Sequence, residues 1–312
     1  MIIALSGGVG GAKLALGLSR VLPPQELLVV CNTGDDFEHL GLSISPDIDT
    51  VMYTLAGLAN QEVGWGRRDE TWSFMETLAS IGGETWFRLG DRDVAVHVER
   101  TRRLRAGETL SSVTQDLCRR LGVAPRVLPM SDDPVRTRVR TDDGWLDFQD
   151  YFVNRRCEPV TRELAFHGAE SARPQPEFLA ALHDPGLQAV VICPSNPFIS
   201  IEPILAVPGV RDALVACKAP VIAVSPIIAG RAIKGPTAKM MTELGLDPSA
   251  GTVAQRYHDL LDGYVIDHAD MAEVVSIDAR VTLAQTLMHT LEDREALAKT
   301  VLDAAAVLRR RR

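Results

Sequence analysis

A glycine-rich segment near the N-terminus is the first group of residues that suggests chemistry. An apolar run, residues 1–5, is followed by SGGVGGAK at 6–13 and by an amphipathic stretch at 14–21. A strand, a glycine-rich turn and a helix start present backbone N–H groups at the positive end of a helix dipole, where anions bind. The expected phosphate contacts are Gly8, Gly10, Gly11 and Lys13. The alternative is a tight turn without a ligand, since the spacing fits neither a Walker A loop nor G-x-G-x-x-G.

Four aspartates lie within fifteen residues after the second apolar run, 27–31. They are Asp35 and Asp36 in NTGDD, and Asp47 and Asp49 in SPDIDT. Asp47 has an alternative role as a helix cap, and Asp35 as a partner for a ribose hydroxyl. Carboxylates beside a phosphate site repel one another unless a cation or a ligand hydroxyl separates them, and Mg²⁺ favours one or two carboxylates together with substrate phosphates. We therefore expect Mg²⁺ at this cluster, and the sequence does not rank Asp35, Asp36 and Asp47 as its ligands.

Two later apolar runs, 187–193 and 220–224, also end in polar loops. The candidate ligand contacts there are Ser195 and Asn196 in PSNPFISI, and Arg231 and Lys234 in SPIIAGRAIKGP. The first pair could hydrogen-bond to the edge of a nucleotide base, and the second pair could form another anion site. The alternatives are an ordinary turn and two surface cations. Because the carboxyl ends of parallel strands meet at one edge of a sheet, we expect all these loops to lie together.

The pattern of elements predicts an α/β fold with a doubly wound, mostly parallel, Rossmann-like sheet. Fully apolar runs of strand length are typical of parallel strands that are covered on both faces. These runs are residues 1–5, 27–31, 187–193, 220–224 and 263–266, with helices predicted near 177–183, 203–215, 237–244, 252–261 and 281–307.

The middle of the chain has a different pattern. Helical periodicity at 70–81, 94–105 and 109–121 precedes an alternating stretch at 135–153 with a hairpin turn at 142–144. We interpret residues 1–312 as a single α/β domain. It carries a helical insertion with a β-hairpin over about 60–165.

Composition excludes several classes of protein. A net charge of −8 argues against a nucleic-acid partner that binds through bulk charge. The five cysteines form no C-x-x-C pair, so we expect reduced core thiols in a cytoplasmic protein. No signal peptide and no apolar run of about 18 residues is present, so no membrane partner is expected. An apolar helical surface is compatible with a homodimer, and the arginines at 309–312 complement a helix dipole.

Seven motifs in order resemble the 2-phospho-L-lactate transferase family of coenzyme F-420 biosynthesis. They are SGGVGGAKLA, NTGDD, SPDIDT, RLGDRD at 88–93, FQDYFV at 148–153, PSNPFISIEPILAVPG and SPIIAGRAIKGPTAKMM. The resemblance extends from residue 1 to about residue 245. Many family members have a Gly-Gly-Thr-Gly type of loop, and Val9 here lacks that hydroxyl.

The resemblance implies a specific transfer reaction. Members of the family move a phospho-acid group, which is 2-phospholactyl, enolpyruvyl phosphate or 3-phosphoglyceryl, from a GDP-activated donor to a deazaflavin. The acceptor is the ribityl hydroxyl of 7,8-didemethyl-8-hydroxy-5-deazariboflavin, and GMP leaves. The resemblance places acceptor contacts at Asp49 and Arg88, with Asp49 accepting or orienting the hydroxyl proton. The glycines, Lys13, Lys234 and Mg²⁺ would hold the diphosphate, and Ser195 and Asn196 would face the guanine.

Two other functions remain as alternatives. One is a non-enzymatic regulator that binds a nucleotide or nucleotide-sugar, and the motif at 88–93 with the hairpin argues against it, because a sensor needs no acceptor pocket. The other is a Rossmann oxidoreductase, which the missing G-x-G-x-x-G disfavours. The sequence does not identify the acid that the donor carries.

Overall fold

The computed structural model describes residues 1–60, 65–233 and 235–309. Its strands are β1 Ile2–Ser6, β2 Leu27–Cys31, β3 Phe37–His39, β4 Leu42–Ile44, β5 Arg126–Pro129, β6 Arg136–Thr141, β7 Gly144–Asp147, β8 Glu163–His167, β9 Ala189–Ile192, β10 Val221–Val224, β11 Ile227–Ile228, β12 Arg231–Ala232, β13 Gly263–Asp267 and β14 Arg280–Ala284. Its α-helices are α1 Gly8–Val21, α2 Pro46–Leu55, α3 Ser73–Ser80, α4 Asp91–Arg105, α5 Leu110–Arg120, α6 Pro176–Leu182, α7 Glu202–Leu205, α8 Val210–Ala216, α9 Thr237–Glu243, α10 Ala250–Arg256 and α11 Leu291–Arg309. Short 3₁₀ segments lie at Pro24–Glu26, Ala169–Ser171 and His268–Ser276, and π-helical turns at Asp150–Asn154 and Pro197–Ile201.

Seven parallel strands form the central sheet in the order β14-β13-β10-β9-β1-β2-β5. Every residue of β1, β2, β9 and β10 is buried, because helices cover both faces of the sheet. One face packs against α1, α2, α5 and α11, and the other against α6 to α10. The predicted doubly wound α/β fold is confirmed. The strand order reverses between β1 and β9, and such a switch point opens a crevice at the carboxyl ends of the strands.

Several predicted element boundaries are wrong. The helix predicted from residue 14 begins at Gly8, so the glycines form its first turns. The stretch predicted as one helix over 203–215 is two short helices, interrupted near Gly209, whose φ is +83°. The helix predicted over 281–307 begins only at Leu291. The residues before it form β14, at one edge of the sheet.

The predicted insertion, 60–165, is not continuous in the structure. β5 lies inside this range but pairs with β2 in the central sheet. Before β5, helices α3 and α4 pack with the β3–β4 hairpin around Ile44, Met75 and Leu89. After β5, the predicted hairpin is present as β6 and β7, and β8 adds a third antiparallel strand.

Two further features complete the fold. All five cysteines are free thiols, and four of them are buried. Among the residues that the structure describes, no helix combines the length and the apolar character needed to cross a bilayer.

Candidate functional site

A cavity of about 510 Å³ lies at the switch point between β1 and β9. Its walls come from the N-terminus of α1, the start of α2, the loop after β9 and the segment before α9. The loop before α4, the turn after β7 and the loop after β14 complete it. The segments after β1, β2, β9, β10 and β14 meet here because these strands belong to the same sheet, whereas the loop before α4 and the turn after β7 join them from outside that sheet.

Backbone amides at the N-terminus of α1 point to an anion site in this cavity. The first four N–H groups of a helix have no acceptor within the helix. Gly7 donates its N–H to Ser195 Oγ at 3.0 Å, and Gly8 donates to Asp47 Oδ1. The next two residues, Val9 and Gly10, line the cavity. Their amides and the positive end of the helix dipole suit a phosphate.

Gly10 and Gly11 are required by close packing. A Cβ on Gly10 would overlap the carbonyl oxygen of Pro194, and one on Gly11 would overlap the hydroxyls of Ser6 and Ser195. Gly10 lines the cavity, whereas Gly11 is buried and is absent from the lining. The two glycines thus allow α1 to pack directly on the loop after β9, and Gly11 is not placed to contact a ligand.

Asp35 and Asp47 meet at the cavity wall. Asn32 Nδ2 donates to Asp47 Oδ2 at 2.9 Å and lies 3.4 Å from Asp35 Oδ1. Burial raises the pKa of Asp47 to about 6, although hydrogen bonds from Asn32 and Gly8 oppose the shift. Burial and then the charges of Asp47 and Asp36 raise the pKa of Asp35 well above its ordinary range. Two such carboxylates beside an anion site are suitable ligands for Mg²⁺, whose charge would stabilise their ionised forms.

Asp36 lies behind this pair and is absent from the cavity lining. Its Oδ2 accepts a hydrogen bond from Ser45 Oγ at 2.8 Å, and burial raises its pKa to about 7. The structure therefore brings two of the three predicted metal ligands to the cavity and leaves Asp36 beneath them.

Asp49 is also buried and does not line the cavity. Arg100 of α4 donates to both of its carboxylate oxygens, and His97 Nδ1 lies 3.7 Å from Asp49 Oδ2. His97 Nε2 in turn lies 3.3 Å from Asp93 Oδ1, which also accepts a hydrogen bond from Tyr53 at 2.6 Å.

This network ties α2 to α4. The ligand atoms of Asp49, Asp93 and His97 lie within 4.8 Å of one another, which is close enough for a metal ion. Arg100 supplies the positive charge there instead, because its guanidinium donates to Asp49. We therefore interpret the cluster as an ion-pair network.

Arg88 lines the cavity, as its predicted role in acceptor binding requires. Its guanidinium carbon lies 4.2 Å from the ring centroid of Trp72. Within the described part of the chain, the guanidinium makes no hydrogen bond or ion pair. Its N–H donors therefore remain available to a ligand.

Ser195 and Asn196 line the cavity but also hold its wall together. Ser195 Oγ donates to Gly7 O at 2.6 Å while it accepts the Gly7 N–H. Asn196 Oδ1 accepts the amides of Phe198 and Ile199. Within the described residues, Asn196 Nδ2 makes only a long contact, 3.8 Å, to Met240 Sδ, and is the better donor for a ligand.

The predicted cations have different positions. Lys13 lines the cavity, and its Nζ donates to Met288 O at 2.8 Å. Arg231 lies on β12 and is absent from the lining. Lys234 lies outside the described residues.

Sequence reasoning missed an aromatic wall. The cavity is lined by Trp65, Trp86, Phe87, Phe148 and Phe152. Phe148 and Phe152 stack with ring centroids 5.3 Å apart and planes inclined by 18°. A signal was available, because three of the four tryptophans in the chain lie between residues 65 and 86. Flat aromatic surfaces of this kind suit a planar conjugated ligand.

Comparisons with known proteins identify the family of this chain. A family model described as 2-phospho-L-lactate transferase CofD matches residues 2–307. A phosphoenolpyruvate transferase of Streptomyces avermitilis is 41% identical, over 98% of this chain and 97% of its own length. A 2-phospho-L-lactate transferase of Methanosarcina mazei is 38% identical, over 97% of this chain and its whole length.

A solved structure of an upf0052 family member from Bacillus halodurans has a TM-score of 0.64 at 14% identity. It covers 96% of this chain and 98% of its own, and it supports the fold alone. The sequence matches show a phospho-group transferase enzyme of coenzyme F-420 biosynthesis. The chain belongs to the 2-phospho-L-lactate transferase family.

Proposed function

We propose that this enzyme transfers enolpyruvyl phosphate from a GDP-activated donor to the ribityl hydroxyl of 7,8-didemethyl-8-hydroxy-5-deazariboflavin. The observation that carries the proposal is a single cavity lined by two chemically different sets of residues. One set is a helix N-terminus, Lys13 and the Asp35–Asp47 pair, and the other is an aromatic wall and Arg88. The relative from Streptomyces avermitilis is named a phosphoenolpyruvate transferase, which favours the enolpyruvyl group over lactyl and glyceryl.

The reaction is a substitution at phosphorus. The ribityl oxygen forms a bond to the phosphorus that carries the acid, the bond from that phosphorus to the GMP oxygen breaks, and a proton is released. Phosphoryl transfer depends mainly on positioning and on neutralising charge, so it needs few covalent groups from the protein. The amides of Val9 and Gly10, together with Lys13, would bind the diphosphate, and all three residues line the cavity.

Asp35 and Asp47 are the residues that would hold Mg²⁺, which supplies charge neutralisation at the diphosphate when it is bound. Asp49 is better suited to positioning, because Arg100 donates to both of its oxygens. Through that ion pair Asp49 fixes α2, whose first turn carries Asp47.

The proposal is tested by product analysis. The purified enzyme is incubated with the deazaflavin and, separately, with the lactyl, enolpyruvyl and glyceryl forms of the guanylated donor. Mass spectrometry should detect GMP and a phosphodiester of the deazaflavin, formed fastest from the enolpyruvyl donor. An Asp116→Asn variant, changed on α5 at a residue absent from the cavity lining, serves as the active control. Nucleotide binding without any phosphodiester product would instead favour a regulator.

Metal dependence is a second test of the same site. Excess chelator should abolish turnover, and added Mg²⁺ should restore it. The Asp47→Asn variant should need a higher Mg²⁺ concentration for half-maximal rate. Unchanged turnover in chelator would mean that the amides and cationic side chains neutralise the diphosphate alone.

A further inference from the structure

Two helices beside the cavity cap each other reciprocally. The Asp91 carboxylate, on the first residue of α4, accepts the amides of Ser73 and Phe74 at the start of α3, at 3.2 and 2.9 Å. The Glu70 carboxylate, just before α3, accepts the amides of Arg92 and Asp93 at the start of α4, at 2.8 and 3.1 Å. Each carboxylate therefore satisfies N–H groups that the other helix leaves unpaired.

This crossed cap fixes two side chains relative to each other. Trp72 directly precedes α3, and Arg88 lies three residues before the first residue of α4. Asp91 N also donates to Thr71 O at 3.0 Å, which joins the two segments through the backbone as well. The indole of Trp72 packs against the core formed by Ile44, Met75 and Leu89, so its ring is anchored on the protein side.

The guanidinium of Arg88 lies over that anchored ring, at 4.2 Å from the centroid. Arg88 is otherwise exposed, and a free arginine side chain loses much rotamer entropy when it is held in one position. A guanidinium that lies over an aromatic face is attracted by the quadrupole of the ring. Its N–H donors, which lie in the plane of the guanidinium itself, stay free to bind a ligand. The stack thus orders Arg88 without using any of its hydrogen-bonding capacity.

We propose that Trp72 is a positioning residue that holds Arg88 at the cavity for the acceptor, with Glu70 and Asp91 keeping the two segments aligned. The inference rests on the proposed function in one respect, namely that Arg88 binds the acceptor. Trp72 itself is absent from the cavity lining, so it acts through Arg88.

Steady-state kinetics test this role. The Trp72→Leu substitution should raise the KM for the deazaflavin about two- to fivefold, as expected for an exposed cation–π contact, and leave the donor KM unchanged. Trp72→Phe should restore part of the loss. Phe74→Leu is the matched control, since it removes an aromatic ring from the same cluster without touching Arg88. In an Arg88→Ala background, Trp72→Leu should add no further increase.

Two outcomes would overturn the proposal. One is an equal effect of Phe74→Leu and Trp72→Leu on the acceptor KM, and the other is that Trp72→Leu and Arg88→Ala multiply each other's effects on that KM.

A measurement without substrate tests the positioning role of Trp72 independently of the proposed function. In ¹⁵N-arginine-labelled enzyme, the Nε order parameter of Arg88, assigned with Arg88→Lys, should fall in Trp72→Leu and not in Phe74→Leu. An unchanged order parameter rejects the positioning role whatever the enzyme transfers. A fall in an enzyme that makes no deazaflavin product supports it and rejects only the proposed function.

Discussion

Individual side chains at this site have roles that their sequence motifs do not distinguish. Asp47 and Asp49 both lie in the first turn of α2, yet Asp47 lines the cavity and Asp49 faces Arg100. Side chains two residues apart on a helix point in different directions, so one motif supplies both a ligand contact and a buried ion pair. The partner of Asp49 is 51 residues away in sequence, and no local pattern indicates it.

The Asp49–Arg100 pair should contribute strongly to stability. Asp49→Ala leaves a buried guanidinium without its partner, which typically costs about 3–5 kcal/mol of unfolding free energy. Denaturant unfolding measures the loss, and the double variant Asp49→Leu with Arg100→Met should lose much less. The sequence-based role for Asp49, at the hydroxyl proton, predicts the opposite result, in which unfolding is unchanged and turnover collapses.

Asp36 should make the stability of the metal-free enzyme depend on pH. Its pKa is raised to about 7 in the fold because the carboxyl is buried, so the folded state keeps a proton that the unfolded chain releases near pH 4. The group therefore stabilises the fold fully below about pH 4, and this contribution is lost as the pH rises through about 7. Asp36→Asn should be increasingly more stable than wild type across that interval, when unfolding is measured in chelator.

Asp116 provides a control of opposite sign. Hydrogen bonds from Arg120 and Arg119 hold the pKa of this carboxylate well below its ordinary value. Asp116→Asn should therefore lose stability relative to wild type as the pH rises to about 4, and the difference should stay constant above that pH. Parallel pH curves for wild type and Asp36→Asn would mean that Asp36 is ionised in the fold.

At the scale of elements, the prediction of strands succeeded where strands are covered on both faces. β1, β2, β9, β10 and β13 were all predicted from apolar runs. The two strands of the central sheet that were not predicted, β5 and β14, are its edges. An edge strand is partly open to solvent, so its sequence is mixed, as in RVLP and RVTLA, and short mixed segments resemble loops or helix starts.

The same limit applies to the candidate site. The sequence indicated which loops converge, because they follow buried parallel strands. It did not indicate that Ser195 and Asn196 use their side chains to cap backbone groups, since the same residue types suit both tasks. The aromatic wall comes from segments outside the strand-loop pattern, which explains why this pattern did not predict it.

Helix α1 offers a matched pair of glycine substitutions. A Cβ at Gly10 would overlap the carbonyl of Pro194 at the cavity, and one at Gly17 would overlap the carbonyl of Arg294 on α11. Both Gly10→Ala and Gly17→Ala should lower the melting temperature, because backbone cannot easily move aside. Only Gly10→Ala should also weaken GDP binding, by about tenfold or more, since it displaces the amides at the helix N-terminus. Equal GDP affinities in calorimetry would place the nucleotide away from α1.

At the scale of the whole molecule, we expect the central sheet to bind the donor and the helical segments to bind the acceptor. Lys13 belongs to the sheet side of the cavity, and Arg88 to the segment that α3 and α4 support. Lys13→Ala should weaken GDP binding, and Arg88→Ala should weaken deazaflavin binding, each by about tenfold, as expected for one charge-assisted hydrogen bond. Calorimetry with GDP and deazaflavin fluorescence measure the two affinities. If Arg88→Ala weakens both equally, the two substrates share one compartment.

The position of β1 in the middle of the sheet has a consequence for synthesis. Among the strands of the central sheet, β1 leaves the ribosome first, and β2 follows it at Leu27–Cys31. Its other neighbour, β9, ends only at Ile192, so a nascent chain keeps one side of β1 unpaired for most of translation. Such long-range parallel pairing forms slowly and leaves an edge that can associate with other chains. The candidate cavity lies at that same junction, and it therefore forms only once β9 has docked against β1.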